Sequence, residues 1–283
     1  MPGNVTRASA ALLALGALAY TAWALEVLVR TGLDPVRTYV SELAASDQPF
    51  GTFFRATDLV SGTLVLAGAV LGWAGTRAAR HARTPEPGRP DGSRPEPGRP
   101  DASRPEPGRP EPGRPDAGGR ARRVREPWAL LGWGALALFG AATVADSRLP
   151  LSCAATADPE CALRETAGLV PLTHTAHAVS SGLAMTGALV ALVALTVAAR
   201  RYGRWRPLAR TGPVIVALEL AATVWTLAAV AAFEGGKGTW ALGAGQRLQV
   251  LLVAVWLAVL AYSLATSRPT PDATSRPAPE EAR

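Results

Sequence analysis

The chain has 283 residues, 48% of them hydrophobic, and a formal net charge of +7 with a pI near 10.4. Its charges are swept into a few segments, leaving six apolar runs of about 20 residues, the length that crosses a ~30 Å hydrocarbon core. Six helices apolar on every side exclude a water-soluble domain. The arginine excess, lying between the runs without interleaved aromatics, excludes a nucleic-acid surface.

Spans are predicted at 8–29, 56–75, 127–145, 172–199, 211–233 and 243–266. The fold class that follows is all-α, a polytopic membrane bundle of six transmembrane helices with both termini inside. The first span carries Arg7 and an Ala22-Trp23-Ala24 stretch that passes as a cleavage site, but its length and Glu26 favour an uncleaved helix. The unit 1–75 then holds two spans and a connection, 30–55, that contains Ser41, Glu42, Asp47 and Arg55.

The second connection, 76–126, carries Arg77, Arg80, Arg83 and ten further arginines up to Arg125. Within it a ten-residue near-repeat of the form Arg-Pro-Glu-Pro-Gly-Arg-Pro-Asp-Gly-Ser runs over 89–116. Proline at that density forbids helix and central strand, so a disordered cytoplasmic loop is expected. The fourth connection carries Arg200, Arg201, Arg204, Arg206 and Arg210, whereas the fifth has Lys237 alone. This alternation puts the second and fourth connections, and both termini, on the inner side of the membrane. Trp73 and Trp128 fall at inner helix ends and Trp240 at an outer one, where amphipathic rings anchor.

The unit 127–266 holds spans three to six and an outer loop, 147–171, with both cysteines of the chain, Cys153 and Cys161. An exported loop permits oxidation, so a disulfide is expected; the spacing is not that of a zinc knuckle. Gly235-Gly236-Lys237-Gly238-Thr239 lacks the spacing of a phosphate loop and reads as a hairpin turn. The tail, 267–283, repeats the proline-rich composition and is expected to be disordered inside the cell.

Ionisable residues recur near the outer ends of the spans: Glu26, Asp58, Asp146, His174, His177, Glu234 and Arg247, with Glu219 nearer mid-membrane. Charges at such depth face a bundle interior or a wet cavity, so an outward-facing polar site is expected. His174 and His177 share one helix face. With Asp146 they are candidate zinc ligands, and hydrogen bonding between helices is the simpler alternative. Arg55 and Asp58, three apart, read as an ion pair or, with Ser41 and Glu42, as candidate ligand-binding residues; guanidinium geometry matches a phosphate or carboxylate. No catalytic residue is assigned.

Tyr39-Val40-Ser41-Glu42-Leu43 with Pro49, Arg55-x-x-Asp58, Asp146-Ser147-Arg148-Leu149-Pro150-Leu151-Ser152-Cys153, the second Cys161 and His174-x-x-His177 together resemble the bacterial integral-membrane family called domain of unknown function 998. The resemblance implies a multi-helix domain in the plasma membrane of a bacterium and no established reaction. The proline-rich insertion and Ser152, where an acidic residue is expected, depart from it. Three functional classes stay open: a metal-dependent hydrolase of a lipid or lipid-linked substrate, with zinc as cofactor, a small-solute transporter or binding protein, and an interaction protein of the bilayer without catalysis. The lipid bilayer is the partner expected in each.

Overall fold

The computed structural model describes residues 2–81 and 126–267. Seven α-helices are present there: α1 (Pro2–Tyr20), α2 (Gly51–His81), α3 (Pro127–Asp146), α4 (Pro159–Thr166), α5 (Leu172–Arg201), α6 (Arg206–Glu234) and α7 (Leu242–Ala265). Two 3-10 turns, Ala22–Val27 and Val40–Ala44, lie between α1 and α2, and no strand occurs among the described residues. All of these helices except the short α4 are long and apolar enough to cross a membrane, α1 together with the turn that follows it to Val27. The protein is therefore a multi-pass α-helical membrane protein. The repeat over 89–116 and the tail from 268 lie outside the described residues.

Helices overrun the apolar runs that define them. α2 continues to His81 and α6 begins at Arg206; long basic side chains at a span end are compatible with helix because they can reach water. α1 falls short instead: it ends at Tyr20, where the Thr21 hydroxyl donates to Leu18 O at 2.7 Å, and the chain tightens into the 3-10 turn carrying Trp23 and Glu26.

Each span packs on the next, α1 on α2, α2 on α3, α3 on α5, α5 on α6 and α6 on α7, and α7 returns to α1. The spans thus form a ring closed in chain order. Leu13, Val65, Trp133, Phe139, Leu192, Leu195, Trp256 and Leu257 fill its core. Leu18, Val60, Val224 and Leu227 point outward, as residues that face hydrocarbon do.

Small residues set the helix spacing around α3. A Cβ on Gly140 would stand 2.6 Å from Leu66 N and 2.8 Å from Gly62 O. A Cβ on Gly187 would meet Phe139 N at 2.8 Å. Neither backbone can yield without moving a helix. Gly140→Ala is expected to destabilise the bundle by about 1–3 kcal/mol. Gly182→Ala, where nothing lies within 4 Å, should be neutral or stabilising by up to about 1 kcal/mol. Thermal denaturation in detergent separates the two.

Candidate functional site

At one end of the ring the loop after α3 folds over the helix ends. The sulfurs of Cys153 and Cys161 lie at disulfide distance and are buried, and Asp158 caps α4 by accepting from Glu160 N at 2.9 Å. The first connection docks on this loop. Ser46 N donates to Leu151 O at 2.8 Å. Glu42, 1% exposed, accepts from Thr156 N at 2.8 Å, from the Thr156 hydroxyl and from Tyr39 N at 2.9 Å. Its carboxylate clasps two loops far apart in sequence.

Burial raises the pKa of Glu42, and the bonds from Thr156 and Tyr39 only partly oppose it. Between the ordinary carboxylate value and this raised one, the folded state holds a proton that the unfolded chain has released. Stability should therefore fall as pH rises through that window. Glu42→Gln, which has no proton to lose, is expected to flatten that slope when the denaturation midpoint is followed against pH.

The same loop determines what the two histidines do. Backbone groups have fixed roles, so they assign the ring protons. Ser152 N donates to His174 Nδ1 at 3.1 Å, which leaves the His174 proton on Nε2, 3.4 Å from Glu165 Oε1. His177 Nδ1 lies 2.8 Å from Leu149 O, an obligate acceptor, so its proton is on Nδ1. That nitrogen is also 3.2 Å from Asp146 Oδ1. Asp146 accepts from the Ser180 hydroxyl and, at 2.6 Å, from Ser181 Oγ. Ser181 Oγ is 3.2 Å from His177 Nε2 and has one proton to give, so it serves either partner.

Asp146 and His177 are thus brought together, while His174 turns to Ser152 and Glu165. The nitrogen lone pairs of the two rings do not meet: one faces Ser152 and the other faces Ser181. Among the described residues no group of three or more His, Cys, Asp or Glu is arranged to hold a metal ion.

Beneath this layer lies a cavity of about 100 Å³. Asp58 of α2 and Asp146 of α3 both line it, with Tyr20, Trp23, Ser41, Ser181 and Gln246 as further polar groups and Leu43, Phe54, Met185 and Val250 as apolar wall. No lysine or arginine lines it. Asp58 has no hydrogen bond or ion pair among the described residues. Arg55 turns away from it: Nη1 donates to Ala44 O at 2.7 Å and Nη2 to Thr52 Oγ1 at 2.9 Å, closing the end of the 3-10 turn Val40–Ala44.

Of the other ionisable groups, Glu26 and Arg247 form a buried bidentate pair. Glu219 is 0% exposed in the middle of α6, neither carboxyl oxygen has a hydrogen-bond partner, and the Gln249 side chain of α7 is its polar neighbour. The cavity residues not anticipated include Tyr20, Trp23 and Gln246. Nothing in the sequence marks the two rings as site residues. Gln246 had a signal, since a glutamine beside an arginine inside an apolar span requires partners; its Oε1 accepts from Val40 N at 2.6 Å.

A family model described as "Protein of unknown function (DUF998)" matches residues 13–85 and 117–263. The unmatched stretch between those segments contains the proline-rich repeat. No curated protein and no solved structure matches the chain.

Proposed function

The chain belongs to the family described as protein of unknown function DUF998, and from that premise we propose that it holds a small ammonium-type cation in the cavity between Asp58 and Asp146, as the binding step of a solute carrier or receptor. The observation that carries this reading is the pairing of two carboxylates in one cavity whose wall has no lysine or arginine. A carboxylate so placed is costly unless a proton or a cation neutralises it. Asp146 already has hydroxyl donors and His177; Asp58 has none, which leaves it for the ligand.

The aromatic rings of Tyr20 and Trp23 in the same wall favour an ammonium over a strongly hydrated metal ion, since ring faces attract desolvated cations. A cavity of about 100 Å³ is far below the roughly 300–1,000 Å³ of pockets for drug-sized ligands, so the solute is small. The positive-inside rule would put this end outside, where a disulfide persists, so the cavity would load from the exterior.

The hydrolase reading draws less support. It needs imidazole lone pairs converging with Asp146, and those of His174 and His177 point to different partners.

Thermal denaturation of the purified protein against sodium, potassium, ammonium, methylammonium and tetramethylammonium tests the proposal. At a concentration near 100 Kd the preferred ion should stabilise by about 2.7 kcal/mol, and Asp58→Asn should abolish that increment. Equal responses to all five ions, or an increment retained in Asp58→Asn, would count against it.

A further inference from the structure

The opposite end of the ring has a second and larger cavity, of about 820 Å³. Its chemistry is the reverse of the first. Arg204 and Arg206 line it, and among the described residues no aspartate or glutamate does. Trp133, Tyr202 and Trp205 supply aromatic wall, the two indoles meeting edge to face at 6.1 Å.

The connection from α5 to α6 shapes it. Gly203 at φ 64° and Trp205 at φ 50° turn the chain so that α6 starts at the cavity mouth with Arg206 and Pro207. The cavity wall is not uniformly available to a ligand. Arg204 Nη2 donates to Glu126 Oε1 at 2.6 Å, and Leu208 N donates to Ser263 Oγ at 3.1 Å. Arg206 is exposed, and its guanidinium has no carboxylate partner among the described residues.

The hydroxyls in the wall have a common orientation. Ser9, Thr76 and Ser263 are buried, each donating to a helix carbonyl, and Thr76 and Ser263 also accept from Trp133 Nε1 and Leu208 N. Thr266 and Ser267 are exposed and donate to Tyr262 O at 2.9 Å and Ser263 O at 2.7 Å, so what these two offer a ligand is lone pairs. The cavity thus combines a cation for an anionic group with acceptors for hydroxyl donors. Tyr202 and Trp205 lie at helix ends, where side chains meet lipid headgroups.

We infer that this cavity binds a phosphate ester that carries free hydroxyls, and that a phosphatidylglycerol-type headgroup is its source. The phosphate sits against the Arg206 guanidinium, whose planar fork fits two phosphate oxygens. The headgroup hydroxyls donate to the Thr266 and Ser267 oxygens. The acyl chains leave between the helices into the bilayer, as they do from basic pockets at the inner ends of transmembrane helices. The volume falls within the range of pockets that hold a molecule of headgroup size.

The test follows the denaturation midpoint of the full-length protein in detergent, titrated with phosphatidylglycerol, phosphatidylcholine or soluble glycerol 3-phosphate. Arg206→Gln is compared with Arg210→Gln, which removes an exposed arginine of the same helix outside the cavity. Phosphatidylglycerol should raise the midpoint and phosphatidylcholine should not, and Arg206→Gln should weaken the effect about tenfold, the equivalent of 1.4 kcal/mol, with Arg210→Gln near wild type. A response to glycerol 3-phosphate alone, lost in Arg206→Gln, would support the same chemistry with a soluble source. Equal responses to both lipids, or equal losses in the two variants, would overturn the inference and leave only diffuse surface charge.

Discussion

Arg247→Ala is expected to destabilise the protein by about 3–5 kcal/mol, the range for removing one partner of a buried ion pair. Arg247 of α7 is 8% exposed. Its Nε and Nη2 each lie 2.6 Å from a Glu26 oxygen, and Nη1 donates to Thr38 O at 2.8 Å and Gly243 O at 3.2 Å. One guanidinium therefore ties the turn after α1, the first connection and the start of α7 together, at the seam where the ring of helices closes. Alanine would leave the Glu26 carboxylate buried without a counter-charge and the Thr38 carbonyl without a donor. The double variant Glu26→Gln/Arg247→Met should cost much less than either truncation, because it removes the orphaned charge along with the pair. Denaturation of wild type, Arg247→Ala, Glu26→Ala, Glu26→Ala/Arg247→Ala and Glu26→Gln/Arg247→Met measures the coupling; additive losses in the alanine cycle would show that the pair does not act as a unit.

Loss of the disulfide is the second large effect. Cys153 and Cys161 close a loop eight residues apart in sequence, for which the chain-entropy model gives about 2–3 kcal/mol. The loop also supplies the partners of the site: Leu149 O and Ser152 N orient the histidines, and Thr156 holds Glu42. Reduction, or Cys161→Ser, should lower the denaturation midpoint by that amount and weaken cation binding with it. Thiol labelling of intact cells before and after reduction checks the pairing and the sidedness together. Labelling that appears only after lysis would contradict an external disulfide loop.

The spans were legible because length and apolarity along the chain are local properties, and lipid requires both. The cysteine pair was legible because both cysteines of the chain fall in one connection between spans. The site was not, because its geometry depends on which loop reaches which helix end. His174-x-x-His177 does place both rings on one face, but the backbone at 149–152 takes Nδ1 of each in opposite roles, as acceptor from Ser152 N in His174 and as donor to Leu149 O in His177, and no spacing rule contains that loop. Arg55-x-x-Asp58 reads as a local pair; instead the Ala44 carbonyl, brought in by the turn at 40–44, takes the arginine. Asp58 is left facing Asp146, an encounter of two helices that are separated in sequence by the whole proline-rich insertion. Trp23 enters the cavity only because α1 tightens after Tyr20, where composition predicts a helix continuing to 29.

In the proposed function, Asp58 is the charge that holds the ligand. The most direct measurement is a calorimetric titration of the preferred ammonium ion into the detergent-purified protein, with wild type, Asp58→Asn and Arg55→Gln compared. Wild type and Arg55→Gln should bind alike, and Asp58→Asn should lose about 2 kcal/mol or more, roughly thirtyfold in affinity. Binding that survives unchanged in Asp58→Asn, or that vanishes in Arg55→Gln while Asp58→Asn retains it, would contradict the claim and move the ligand out of the acidic cavity.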